Sequence, residues 1–272
     1  MYNMKKLCLL FGNCQLNAIE TMLKYSTFYD TYYVVKYANW QLLKSSTMTI
    51  PIEQLKTADL IIYQPLSDVH GCYSTNKKNP DSFFTLLKDT CKVISFPRIH
   101  NNAIFPIFHK NVNNIYGTIK NQVQTLEELY TLYDNDKIDY DFDARMALNY
   151  KLSKEREETT DVKIIDYIMD NMKKYKLFLT QDHPTKYVFN EVVRQICVIL
   201  EIPYDTEKYV DAIENIIESV DSMYHRADCQ YPLSRYAIRH FGFEFSTTEH
   251  PDANEFYRNI TAEYWLNFKS QQ

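Results

Sequence analysis

Two hydrophobic habits divide this chain: short unbroken apolar runs, and longer stretches in which apolar residues recur every three or four positions. The first run, Leu7-Cys8-Leu9-Leu10-Phe11, stops at Gly12, and from Leu16 the period becomes helical, with Leu16, Ile19, Met22 and Leu23 on one face. Asp59-Leu60-Ile61-Ile62-Tyr63-Gln64-Pro65 and Lys92-Val93-Ile94-Ser95-Phe96-Pro97 repeat the unbroken habit, as strands of a parallel sheet buried on both faces do. Tyr29 to Tyr37, rich in tyrosine and valine, reads as a further strand. Lys176 to Thr180 reads as the fifth, with Pro184 at the first position of a helix that runs to Glu201. Helical periods fill 81–89, 113–134 and 139–158, and Asp161 reads as the cap of another helix carrying Val162, Ile165, Met169 and Met172 on one face. Beyond Pro203 the pattern predicts helices near 205–220, 232–241 and 252–268, with at most a short strand at 243–245. The expectation is an α/β fold over residues 1–203, a mainly parallel sheet flanked by helices, with a helical C-terminal extension over 204–272 packed on it.

In such a sheet, ligands gather at the carboxyl edge of the strands. Reading past each strand gives Gly12-Asn13-Cys14-Gln15, then Gln64, then Arg98 and His100, then Asp182-His183. Gly12, one of four glycines, sits where strand meets helix and suggests a backbone conformation or a close approach that a side chain would forbid. Cys14 begins a helix, whose positive end favours a thiolate and whose N–H groups suit an oxyanion or phosphate. A packed thiol is the plainer alternative. Cys14 and His183 are the pair that nucleophilic attack on a carbonyl or thioester requires, with Asn13, Gln64 and the Cys14 N–H as oxyanion donors. The competing readings are that His183 merely opens a helix and that Gln64 satisfies a loop carbonyl. Arg98, His100, His109 and Lys110 form the densest basic group near that edge and are the candidates for phosphate contacts, unless they are only a solvated loop face.

Composition narrows the field. A net charge of −5 gives no general attraction to nucleic acid or anionic membrane, so an anionic ligand needs a local cluster. No apolar run approaches the roughly 18 residues of a membrane span, and no secretory signal is evident. Six widely spaced cysteines without a C-x-x-C pair fit a reduced, cytoplasmic protein and give no zinc site. His225, Asp228 and Cys229 match no metal-ligand spacing, and glycine-rich nucleotide loops are missing.

Taken in order, Phe11-Gly12-Asn13-Cys14-Gln15, Asp59 to Pro65 with Gln64, Phe96-Pro97, Arg156-Glu157 with Asp161-Val162, and Leu177-Phe178-Leu179 leading to His183-Pro184-Thr185 resemble the WcbI family of bacterial polysaccharide-biosynthesis proteins. The resemblance spans residues 5–203. That family looks like a distant, cysteine-bearing relative of the SGNH/GDSL hydrolases, and its members are linked to coenzyme A binding and acetyl transfer onto capsular sugars. The resemblance implies an SGNH- or flavodoxin-like sheet with Cys14 in place of the SGNH serine and His183 in place of its histidine. It implies coenzyme A or acetyl-CoA as co-substrate, held by Arg98, His100 and Lys110 beside Gly12 and Gln15, and a sugar or polysaccharide precursor as acceptor. The SGNH acid lies about one helical turn before its histidine, whereas Asp182 is adjacent to His183, which leaves the third member open. The leading expectation is an O-acetyltransferase, entering either through an acyl-Cys14 or by direct attack of a sugar hydroxyl deprotonated by His183. A thioesterase or carbohydrate esterase, and a coenzyme A- or nucleotide-binding protein without chemistry, are the alternatives.

Overall fold

Four parallel strands form the sheet, in the order β2-β1-β3-β4: β1 (Lys6–Gly12), β2 (Tyr32–Ala38), β3 (Leu60–Tyr63) and β4 (Lys92–Ser95). The structure is a computed structural model and describes residues 4–44, 47–105, 123–204, 231–245 and 252–269. The central strand β1 alternates its side chains between two apolar layers. Cys8 and Leu10 face the larger one, while Leu7, Leu9 and Phe11 pack with Ile61, Phe83 and Phe84 in the other. This two-sided burial explains why the strands read as unbroken apolar runs.

The connections are helical, as parallel pairing demands: α1 (Gln15–Leu23) and α2 (Phe28–Thr31) between β1 and β2, then α3 (Asn39–Leu42) and α4 (Ile52–Thr57) before β3. Two 3₁₀ turns, Asp68–Tyr73 and Phe83–Leu86, lead to β4. After β4 come α5 (Leu126–Asp134), α6 (Phe142–Glu157), α7 (Ile165–Asn171), the short strands β5 (Phe178–Thr180) and β6 (His183–Pro184), and α8 (Lys186–Ile199), which packs on α1. Further on are α9 (Arg235–Phe241) and α10 (Ala253–Lys269). Their residues Tyr236, Phe241, Tyr257 and Trp265 belong to the same apolar cluster as β1 and α1.

Three local expectations need correction. Residues 178–180 do not extend the parallel sheet but pair antiparallel with His183–Pro184 in a separate ribbon. Pro184 therefore lies in a strand, and α8 starts after Thr185. Asp161 does not cap a helix: its Oδ2 accepts from the Ser95 backbone N–H and hydroxyl, both at 2.7 Å, pinning the end of β4, and α7 begins after Ile164. Residues 243–245 form no strand, within the expectation of at most a short one there. The helices expected at 113–122 and 205–220 lie outside the described residues.

Candidate active site

Register puts the carboxyl ends of all four strands on one rim, with Gly12 opposite Ala38, Phe11 opposite Tyr63, and Tyr63 opposite Ser95. The turn that follows β1 is built from amides. Asn13 Oδ1 accepts from the Gln15 N–H at 2.9 Å, closing a tight turn that sets Cys14 at the N-cap of α1. The Asn13 N–H donates to Gln64 Oε1 at 2.9 Å, so the residue after β3 holds the residue after β1. A Cβ on Gly12 would stand 3.2 Å from that Oε1 and 3.3 Å from Leu16 Cγ, which bears out the need for close approach.

Gln15 is the hub. With no exposed surface, its Nε2 donates to the carbonyls of Ile99 (2.7 Å) and Asp182 (3.0 Å). Its Oε1 accepts from Gln64 Nε2 (3.0 Å) and the Ile99 N–H (3.3 Å). One side chain thus joins the Cys14 turn, the end of β3, the segment after β4 and the β5–β6 ribbon. Gln64 is itself 3 % exposed, and both ends of its amide are engaged within this network. Gln15 has both amide hydrogens and both oxygen lone pairs engaged, so it does not present its amide to a ligand without breaking these bonds. Gln15 is thereby a structural tie where a cofactor contact is expected, because it is buried and fully hydrogen-bonded.

A second cluster stands beside it. Asp182 Oδ1 accepts from Arg98 and from His100 Nδ1, both at 2.7 Å, and the Asn101 N–H donates to the Gln181 carbonyl at 2.9 Å. Burial raises the Asp182 pKa, but the hydrogen bonds and charges of His100 and Arg98 outweigh it and hold the carboxyl well below the usual range. Asp182 therefore orients His100, which is 8 % exposed, and not His183. His183 Nδ1 instead shares a hydrogen bond of 2.8 Å with the hydroxyl of Thr180, a residue that sequence reasoning passed over. Burial lowers the His183 pKa below its ordinary value, opposed by the Asp182 charge. Burial thus favours the neutral imidazole.

The thiol departs from expectation. Burial, followed by the negative charge of Asp182, raises the Cys14 pKa; the N–H groups of Cys14 and Gln15 and the Arg98 charge pull it down without prevailing. The helix terminus does not make a resting thiolate here. Arg156, on the last turn of α6, has its cationic form disfavoured by burial and by Arg98 and favoured by Asp182 and Glu155, so two guanidiniums and two carboxylates act on one another along this flank. Lys110 lies outside the described residues. On the opposite flank, Asn13, Cys14, Asn17, Lys36, Trp40 and Gln41 line a pocket of about 150 Å³ between α1 and the end of β2.

Fold and site together define a parallel α/β protein with a half-buried cysteine at the carboxyl edge of its central strand. A family model described as "Polysaccharide biosynthesis enzyme WcbI" matches residues 7–205, and the chain belongs to that family. A solved structure of WcbI, described as a novel polysaccharide biosynthesis enzyme in its native form without a disulfide bond between coenzyme A and a cysteine, is 20% identical. The match has a TM-score of 0.51 and covers 75% of this chain and 73% of that one, so it bears on fold. No curated protein matches. Among the described residues, no helix is long and apolar enough to cross a membrane.

Proposed function

We propose that this protein is a cytoplasmic acyl-CoA-dependent O-acetyltransferase acting on a sugar hydroxyl during synthesis of a capsular or other surface polysaccharide. The observation that carries the reading is the Gln15 bridge to the Asp182 carbonyl at 3.0 Å, which fastens the Cys14 turn to the residue before His183. Membership of a polysaccharide-biosynthesis family supports the acceptor class. The description of the WcbI structure in terms of a coenzyme A–cysteine disulfide, missing there, supports placing the coenzyme A sulfur beside Cys14. Arg98, paired with Asp182 but exposed, and Arg156 are the cations of this flank and the candidate contacts for the phosphates of coenzyme A.

In this reading His183 takes the tautomer whose Nδ1–H donates to Thr180 Oγ1, across their 2.8 Å contact, so that Nε2 is the base. His183 takes the Cys14 proton, the thiolate attacks the acyl-CoA carbonyl, and the thioester to coenzyme A breaks as the thioester to Cys14 forms. The imidazolium returns its proton to the departing coenzyme A thiolate. His183 then deprotonates the sugar hydroxyl, whose attack forms the ester and releases the Cys14 thiolate, reprotonated by the imidazolium. Asn13 Nδ2 is the side-chain donor left to the oxyanion, because Asn13 Oδ1 is held by the Gln15 N–H. Incubation with acetyl-CoA followed by intact-mass analysis tests the covalent step: an acetyl adduct lost in Cys14→Ala is expected. Acetyl transfer undiminished in Cys14→Ala removes the nucleophile, and lack of stabilisation by coenzyme A in a thermal-shift assay removes the reading altogether.

A further inference from the structure

The pocket on the β2 flank has a composition unlike the arginine flank. Its lining cation, Lys36, is already bound by Glu20 and by Asn17 Oδ1, both at 2.6 Å, so it offers no uncompensated charge for a phosphate. What remains is amide and indole. Asn13 and Asn17 have their Oδ1 atoms engaged by the Gln15 N–H and by Lys36 and bring NH₂ donors, while Gln41 brings an amide that both accepts and donates. Trp40 leaves half of its side chain exposed, although Lys44 covers the ring with its ammonium 5.1 Å from the centroid. Exposed tryptophan is unusual, because so much apolar area is normally buried. At about 150 Å³ the space is well below the roughly 300–1,000 Å³ of sites for drug-sized ligands, and far too small for coenzyme A. Cys14 forms part of its wall.

We infer that this pocket is the acceptor subsite and holds one pyranose ring, its apolar face against Trp40, its hydroxyls on Asn17 and Gln41, and one hydroxyl beside Cys14. The inference rests on the acyl-transfer reading and deepens it: donor and acceptor approach Cys14 from opposite flanks. Two of its features belong together chemically. A pyranose has an apolar face of C–H groups ringed by hydroxyls, and a half-exposed indole amid amides is the complement of that pattern. A charge-balanced wall is compatible with an uncharged sugar ring.

The chain has two tryptophans, and Trp265 is only 6 % exposed, so iodide quenching of fluorescence reports Trp40. The probes are the methyl pyranosides of glucose, galactose, mannose and N-acetylglucosamine at about 100 mM, where even a ~10 mM Kd gives about ninety per cent occupancy. At least one is expected to cut the quenching constant about twofold or more. Gln41→Ala, at an exposed position that leaves the fold intact, is expected to weaken that glycoside about fivefold, the loss of one hydrogen bond. Coenzyme A affinity, read by thermal shift in the same samples, is expected to stay unchanged in Gln41→Ala. Protection by none of the four glycosides, or by coenzyme A in their place, overturns the inference. If glycosides protect Trp40 but coenzyme A does not bind, the subsite stands and the acyl-CoA reading falls.

Discussion

Replacing Gln15 with methionine separates the architecture of the site from its chemistry. The side chains are of similar length, but methionine removes both donors and the acceptor. Four partners lose their bonds: the carbonyls of Ile99 and Asp182, the N–H of Ile99, and Gln64 Nε2. A buried group left unsatisfied costs about 1–3 kcal/mol. The low end applies here, since the Ile99 N–H bond is long at 3.3 Å and each carbonyl keeps a second lone pair. About 4 kcal/mol is therefore lost, and burying the thioether in place of the amide returns about 1 kcal/mol. A net destabilisation of about 3 kcal/mol is expected, read from urea unfolding as a lower midpoint with an unchanged slope. The same variant is expected to lose acetyl transfer while Cys14 stays intact, because Cys14 and His183 are no longer tied through the Asp182 carbonyl. A stability loss below about 1 kcal/mol, within the range of ordinary surface substitutions and mild core changes, would refute the claim that this amide holds the rim together.

Gly12→Ala adds a methyl 3.2 Å from Gln64 Oε1 and 3.3 Å from Leu16 Cγ, and should cost about 1–2 kcal/mol in urea unfolding; parental stability would show that the glycine is incidental. For Asp182→Asn the sign follows from a folded pKa below the unfolded value: the carboxylate's contribution is present above about pH 4 and fades as pH falls through the folded pKa. Thermal midpoints of the variant should thus fall less steeply below pH 5 than those of the parent, and parallel curves would dissociate Asp182 from acid sensitivity. The pH profile of kcat/KM for acetyl transfer should rise on an acid limb below 6.5, where His183 loses its proton, and stay level through neutral pH. An acid limb centred above 6.5 would assign the base to another group.

The sheet was legible because burial on both faces erases alternation, so β1, β3 and β4 appear as continuous runs with their ends marked by Gly12, Pro65 and Pro97. The same signal misleads at residues 176–180. A strand of three residues in an antiparallel ribbon has too few positions to show a period, and Pro184 suits a helix start as well as a strand end. Asp161 had the right residue type for a cap, but its partner Ser95 is 66 positions away, and nothing local reveals that. Among site residues, the turn Gly12-Asn13-Cys14-Gln15 could be read because strand, glycine and helical period adjoin. The division of labour within it could not: Gln15 and Gln64 face each other only once β3 lies beside β1. Thr180 escaped notice because a threonine at a strand end is ordinary in sequence, and only the sharp β5–β6 reversal puts its hydroxyl 2.8 Å from the imidazole.

The thiol's acidity follows from that same construction. Drawing Gln15 into the interior to hold four partners also draws Cys14 under cover, and burial disfavours the thiolate more than the adjacent helix N–H groups favour it. Burial acts on His183 in the complementary sense, disfavouring the imidazolium. Each shift alone weakens a nucleophile–base pair, but together they favour one resting state, neutral thiol with neutral imidazole, over the ion pair. In the proposed acyl transfer such a pair holds its proton in place until an acyl group brings an electrophilic carbon and its oxyanion meets the donors of the turn. In the proposed reaction the thiolate then exists only in the course of transfer, which limits competing reactions with oxidants and disulfides, since it is the thiolate that attacks them. A cysteine set in a rim of buried amides is in this respect the opposite of one activated by an exposed helix end.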